Sequence, residues 1–464
     1  MATISLCMIV RDEEAMLGEC LASARGVVDE MIVVDTGSRD ATTRIAREAG
    51  ARIHHFAWCD DFAAARNEAL RHARSPWVLV LDADERITPA SRHGIQAAVR
   101  RGGFDCGMLR LHDAARLDAS LEEVASGSAR QAEVQLVPRL LRRTDGLTYS
   151  GAIHESVLPW LRRRGMKVTG VDCDVVHYGA TQAVVDAKSK IERNIRMLRA
   201  RLDRDPGDVS LHGYLAHDLL RAGFPAEARA AAEFGWSKVD VTGNARELQV
   251  HRLATARAYL QIRAGEYAGA RETLRVARAT DGDNPDFCFL SACASESEAM
   301  CSAPPARGAL LAEAREGYLA CERFGGRVFA QSFVFGATSW SGATRLGTVE
   351  LVLGAPQDAL RAFERALVAR PGDREARLGC SEAMIDLGDM SGALRRLEGL
   401  LDDSSPDAWT LAAVAVGRLG LRDDARLFAG RAQSLLAKGF LARHRRDLLR
   451  GVVTSLLAGA VSQA

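Results

Sequence analysis

Apolar positions change their rhythm along this chain. Up to about residue 180, short runs of consecutive apolar residues alternate with stretches in which they recur every three or four positions. The runs at residues 4–10, 30–35 (EMIVVD), 51–56 and 77–82 predict strands, and residues 13–24, 41–49 and 62–73 between them predict helices. Single helices separating β-branched runs imply βαβ units and a mainly parallel sheet. Ligands of such sheets gather at the carboxyl ends of the strands, so candidate site residues belong just after them.

From about residue 185 the strand signal ends and helical segments rich in Ala, Leu and Arg follow one another. DALRAFERAL, starting at Asp358, returns 34 residues later as GALRRLEGLL, starting at Gly392. A helix stop at Arg370-Pro371-Gly372-Asp373 lies between them, and a further partial copy starts at Asp423. AEARAAAEFG from Ala226 and AGARETLRVA from Ala268 are similar segments at longer spacing. This resembles the tetratricopeptide repeat, whose units of about 34 residues must stack to bury their apolar faces. The pattern is strong over 345–435 and weak over 280–340, where residues 326–340 show no clean repeat; a plain helical bundle is the other reading. The expected division is a catalytic domain at 1–182, a helical linker with the first repeat-like helices at 183–280, and a repeat domain at 281–464.

Composition narrows the function classes. Sixty-one basic residues against sixty acidic ones leave no basic excess for nucleic acid or a membrane surface. No apolar run approaches the roughly 20 residues that a membrane span needs. The ten cysteines are scattered, with neither a CxxC pair nor zinc spacing, which suits reduced, mostly buried thiols. MATISLCMIV runs directly into Arg11-Asp12-Glu13-Glu14 without a basic leader or cleavage site, so a cytoplasmic protein is expected.

The candidate chemistry centres on WVLVLDADE, Trp77 to Glu85. In an extended chain residues two apart face the same side, so Asp82 and Asp84 are expected to face one ligand with Ala83 turned away. Two carboxylates there suit a hard divalent cation that neutralises a diphosphate, although acidic strand ends are also common solvated features. The second predicted strand ends in Asp35-Thr36-Gly37-Ser38, where a carboxylate can accept from a base N–H and a short turn lets backbone approach a nucleotide. An ordinary helix cap by Ser38 or Asp40 fits the same residues. Arg66, early in the third predicted helix, offers a fork of donors to a base carbonyl or phosphate. Beyond the core strands lie Tyr149-Ser150-Gly151-Ala152-Ile153-His154-Glu155 and Val176-His177-Tyr178-Gly179. Arg139, Arg142 and Arg143 either screen phosphate charge or form a solvated face.

These blocks (ISLCMIVRDEE, DEMIVVDTGSRDAT, FxxARNEAL, WVLVLDADE and YSGAIHE) resemble a family 2 glycosyltransferase of the GT-A fold. With the repeats, the chain is similar to peptide glycosyltransferases of the sublancin S-glycosyltransferase type and to lipopolysaccharide-core β-glucosyltransferases. The resemblance implies an inverting enzyme using Mn2+ or Mg2+ and a nucleotide-sugar donor, a UDP-sugar. It puts Asp35 on the base with Arg66 assisting, Asp82 near the ribose, and Asp84 on the metal. Val10, Arg11 and Glu13 would close the nucleotide pocket with Gly37 and Ala83, although Glu13 and Glu14 also suit a helix N-terminus. Glu155 is the candidate base, in a His-Glu pair where many relatives carry Asp. His154 is a candidate for the phosphate and His177 for a third metal ligand, with structural roles equally open for both. The implied acceptor is a peptide or protein side chain, by analogy, with a glycolipid core as the alternative. The repeats are expected to dock the acceptor or form a homodimer. A haloacid-dehalogenase-like phosphatase, a nucleotidyltransferase and a repeat scaffold with a decayed catalytic domain are the rival classes.

Overall fold

The computed structural model describes residues 3–131, 134–181, 190–239, 250–325, 336–402 and 405–436, with residues 334 and 451. Among these the chain forms two compact units, the first running through Leu260 and the second comprising most of the residues after it. The expected boundary at 182/183 and most of the weak-repeat segment 326–340 lie outside the described residues.

In the first unit eight strands form one sheet in the order β3-β2-β1-β4-β7-β6-β8-β5. Strands β1 (Ile4–Val10), β2 (Glu30–Asp35), β3 (Arg52–His55) and β4 (Trp77–Val80) are parallel, as the alternation with helices predicts. The remainder, β5 (Glu85–Ile87), β6 (Cys106–Asp113), β7 (Gln135–Arg142) and β8 (Val168–His177), is mixed. It contains the antiparallel pairs that the apolar pattern beyond residue 82 did not announce.

Period-two alternation sorts β1 between two cores. Ile4, Leu6, Met8 and Val10 pack with α1 (Leu17–Ala24) and α4 (Ser91–Arg101). Cys7 and Ile9 face the opposite layer, with Ala63 and Ala69 of α3 (Phe62–His72) and Trp160 of α6 (Leu158–Arg163). Both faces are covered, which is why β1 is apolar apart from Ser5. The predicted helix at 13–24 is shorter at its start: Glu13 O accepts from both Met16 N and Leu17 N in a turn, and α1 begins at Leu17.

Helices α7 (Lys190–Leu202), α8 (Val209–Arg221), α9 (Pro225–Trp236) and the start of α10 (Val250–Arg263) belong to the same unit as the sheet. Their core includes Leu198, Leu215 and Leu253 and extends to Ile153, with Trp58 and Phe62 packed against it. The loop carrying His154 and Glu155 is therefore anchored by helical residues.

The second unit stacks helical hairpins, among them α14 (Trp340–Val352), α15 (Pro356–Ala369), α16 (Arg374–Asp386) and α17 (Met390–Leu397). The 34-residue periodicity reports real spacing: both repeated segments start within the second helix of a hairpin. Phe363 of α15 is 1% exposed and fills the space left by two glycines. A Cβ on Gly347 would stand 2.7 Å from its ring, and one on Gly379 only 2.3 Å. Asp373 and Asp389 start the next helices by accepting from Ala376 N and Gly392 N, both at 2.8 Å.

Gly379→Ala drives a methyl into a rigid, buried ring. It is expected to destabilise the repeats by about 1–3 kcal/mol, read as a lowered thermal midpoint by circular dichroism, while Gly372→Ala, with open space around it, stays near the parent.

Candidate active site

The carboxyl ends of β1, β2 and β4 lie side by side, with Val10 in register with Asp35. After β1 the chain turns through Asp12, at φ 51°, and is tied to the loop after β2. Asp12 N donates to Ser38 Oγ at 3.0 Å, Arg39 N to Asp12 Oδ1 at 2.7 Å, and Glu13 N to Thr42 Oγ1 at 2.7 Å. Glu14 N donates to Asp40 Oδ2 at 3.0 Å, and Ala41 N to Glu14 Oε2 at 2.9 Å. Val10 O accepts from Thr36 N at 2.9 Å. Arg11 and Asp12 stand 3.9 Å apart at the exposed rim. Asp35 is buried at the floor, accepting from Ser38 N at 3.1 Å and Gly37 N at 3.3 Å. Gly37 holds φ 108°, open to glycine at little cost.

The acidic motif departs from the expected extended geometry. β4 ends at Val80, and residues 82–85 form a turn closed by Glu85 N donating to Asp82 O at 3.0 Å. Glu85 caps that turn itself, its Oε2 accepting from Asp82 N at 3.1 Å. The same-side rule for alternate residues therefore does not apply, and the two aspartates have separate partners. Ala83 is buried between them.

Asp82 faces two guanidiniums. Arg66 Nη2 lies 2.7 Å from Oδ1 and Arg139 Nη2 2.9 Å from Oδ2. Burial pushes this carboxyl up, but Arg66 and Arg139 outweigh it and hold Asp82 well below the usual carboxylate range. Its side chain keeps 34% of its surface open, so the ion pair faces the rim rather than a sealed core. Arg66, expected beside Asp35, also donates Nε to Glu155 Oε1 at 2.6 Å and lies 5.8 Å from the Tyr149 ring centroid. Asn67 exchanges hydrogen bonds with Tyr149, donating Nδ2 to its O at 3.0 Å and accepting from its N at 2.8 Å. The adjacent pair Arg66-Asn67 thus clamps the 149–155 loop onto α3. Arg139 is mostly covered, its side chain 13% exposed, and also pairs with Glu85, which is 1% exposed.

Asp84 faces the other way. Its Oδ1 stands 3.6 Å from His177 Nε2, and Lys190 Nζ is 3.4 Å from Oδ2 and 3.2 Å from Gly179 O. Burial disfavours the charged carboxylate, yet His177 and Lys190 hold it well below its ordinary range. His177 carries a second carboxylate on its far nitrogen, Asp113 Oδ1 at 2.7 Å from Nδ1. Burial lowers its basicity, and Asp84 and Asp113 overcome that and raise it. Gly179 makes the close approach feasible: a Cβ there would fall 1.9 Å from Asp84 Oδ2 and 2.7 Å from His177 Nε2.

This half of the site brings one carboxylate and one imidazole together, with a second carboxylate orienting the imidazole and the Lys190 ammonium against the first. Among the described residues no set of three acidic, His or Cys side chains forms a complete ligand cage. Divalent cations regularly take their remaining ligands from substrate phosphate and water. His154, at φ 54°, stacks on Tyr214 of α8 at 3.6 Å. Glu85, Asp113 and Lys190 were not singled out for the site from sequence, and Arg139 only as a residue that screens phosphate or is solvated. Glu85 adjoined the motif in plain view, whereas Lys190 sits in a helical stretch with no local signal.

Residues 5–116 match the family 2 glycosyl transferase model and residues 353–415 match a tetratricopeptide repeat model. The N-terminal region is thus similar to family 2 glycosyl transferase domains, and the later helices are similar to tetratricopeptide repeats. The chain is 35% identical over 229 residues to a TPR repeat-containing protein of Synechococcus elongatus, covering 48% of this chain and 54% of that one. It is 25% identical over 209 residues to the prophage-derived glycosyltransferase SunS of Bacillus subtilis, covering 44% and 46%. Over 94 residues it is 34% identical to the lipopolysaccharide core biosynthesis glycosyltransferase LpsC of Rhizobium meliloti, covering 19% and 34%. The chain thus spans about half the length of the first two relatives.

Removing Arg139 strands the buried Glu85 carboxylate. Arg139→Met is expected to cost about 3–5 kcal/mol at pH 7, measured by chemical denaturation. Asp82 is held low in the folded protein, so its contribution is complete above the ordinary carboxylate pKa of about 4 and is lost as pH falls towards the lowered value. The gap between parent and variant should narrow on that acidification.

Proposed function

We propose that the chain is an inverting, metal-dependent glycosyltransferase that moves a hexosyl group from a UDP-sugar to a peptide or protein side chain. The observation that carries this reading is the convergence of Asp84 and His177 after β4, beside the loop that ties β1 to β2. Asp35 and the amide-rich turn at Gly37 receive the base, with Val10, Arg11 and Glu13 lining its edge. Asp82 faces the ribose, and its pairing with Arg66 and Arg139 leaves Asp84 and His177 to hold Mn2+ or Mg2+. The cation, when bound, supplies charge that stabilises the departing diphosphate.

Glu155 takes the proton of the acceptor hydroxyl or thiol as the acceptor lone pair forms its bond to the anomeric carbon. The bond from that carbon to the diphosphate oxygen breaks on the opposite side, which inverts the centre. Arg66 aims Glu155 through Oε1, and Asn67 fixes the loop that carries it. The repeats, as stacked helical pairs, supply an extended surface for a polypeptide acceptor or a second copy of the chain. The similarity to LpsC, a lipopolysaccharide core biosynthesis glycosyltransferase, favours a glycolipid core as the second reading of the acceptor.

Two variants should separate binding from chemistry in titration calorimetry with UDP and Mn2+ and in a donor-transfer assay. Asp84→Ala loses metal-dependent UDP binding and transfer together. Glu155→Gln keeps UDP binding and loses transfer by on the order of a hundredfold or more. Metal-dependent binding that survives in the first variant, or unchanged turnover in the second, contradicts the assigned role. A parent protein that binds no UDP with Mn2+ supports the scaffold reading.

A further inference from the structure

Helix α7 carries a basic residue at every third position: Lys190, Arg193, Arg196 and Arg199. Three of them meet acids. Lys190 is matched to Asp84, Arg196 places both terminal nitrogens on Asp60 at 3.0 and 3.2 Å, and Arg199 pairs with Glu227. Arg193, between the first two, has no carboxylate within ion-pair distance among the described residues. Its Nη2 touches Asn194 Oδ1 at 3.3 Å, and its Nε is buried without a partner. The guanidinium carbon lies 5.2 Å from the Phe62 ring centroid at the start of α3.

The surroundings of Arg193 are those of the active site. Arg196 and Arg11 repel it, while Glu13 and Glu155 attract it; burial and the two arginines prevail, and its basicity is lowered. Glu155 is already committed to Arg66 at 2.6 Å. A half-buried guanidinium with one weak hydrogen-bond partner and a buried unpartnered Nε is costly unless an anion arrives. Its packing against Phe62 holds it in place but satisfies none of its hydrogen-bond donors. The neighbouring steps of the strip show what α7 offers, since Lys190 and Arg196 each already meet a carboxylate of the sheet domain.

We propose that Arg193 binds an anionic group of the substrate, a phosphate or carboxylate, between Glu155 and the loop after β1, so that α7 forms part of the active site. This rests on the glycosyltransferase reading for the identity of the site, and not for the existence of the anion position. The anion has two sources: the diphosphate of the donor, or a charged group on the acceptor. Arg is suited to either, because its planar fork makes paired, charge-assisted hydrogen bonds.

The test uses the full-length protein and Arg193→Met, which keeps a flexible apolar stem against Phe62, with Arg193→Lys as the charge-conserving control. UDP, uridine and inorganic phosphate are titrated with Mn2+ present, phosphate also into UDP-loaded protein. A donor diphosphate site predicts that the Met variant loses about tenfold to a hundredfold in UDP affinity while uridine is unchanged. An acceptor site predicts unchanged UDP affinity and the same loss for phosphate on the UDP-loaded protein. The Lys variant should recover part of either loss. Equal affinities for both anions in parent and Met variant, or no binding of either anion by the parent, overturn the proposal. Phosphate binding that depends on Arg193 without any UDP binding keeps the anion site and rejects the nucleotide reading. Phenylglyoxal labelling of the unmutated protein gives an independent measure if the Met variant does not fold. Arg193 should be protected by UDP or by phosphate, and protection by neither is a contrary result.

Discussion

Asp82, caught between Arg66 and Arg139, is the interaction that organises this site. It fixes the end of β4 to α3 on one side and to β7 on the other, and through Arg66 it reaches Glu155 on a loop far along the chain. Because its charge is already matched twice, Asp82 is poorly suited to share a cation. Asp84, two residues further along the turn, faces His177 and Lys190 instead. The division of labour between two aspartates of one short motif is therefore set by arginines placed elsewhere in the sequence. Loss of Arg139 would be felt most at Glu85, whose 1% exposed carboxylate has no solvent to receive its charge.

Much of the architecture was legible because it is written locally. β1 and β2 occupy the residues their apolar runs mark, and the alternation with helices announces the parallel half of the sheet. The repeat spacing at Asp358 and Gly392 is likewise visible, because each hairpin must present the same small residues to its neighbours. The antiparallel half was not legible: its strands pair residues far apart in sequence, such as Trp77 with Arg142. At the site, the residue types after β1, β2 and β4 could be listed, yet their partners could not. Reading residues 82–85 as extended chain put both aspartates on one side, and the turn capped by Glu85 separates them. Arg139 read as a solvated residue or one that screens phosphate charge, since nothing adjacent to it reveals that Asp82 and Glu85 lie across the sheet.

The helices that follow the sheet do more than connect it to the repeats. Ile153 is buried among residues of α7, α8 and α10, so the loop bearing Glu155 is shaped from both sides of the sequence boundary. Lys190 then brings a cation of α7 to Asp84. The catalytic and helical parts of the first unit are for that reason one functional object.

The most direct measurement is a crystal structure of the protein soaked with UDP and Mn2+, with the manganese located by its anomalous scattering. The account predicts a peak within about 2.0–2.3 Å of Asp84 and His177, typical ligand distances for such ions, with Lys190 moved off Asp84 and Asp82 still paired to Arg66 and Arg139. Manganese bound to Asp82 with either arginine displaced, or absent from the end of β4 while UDP is bound, would contradict it.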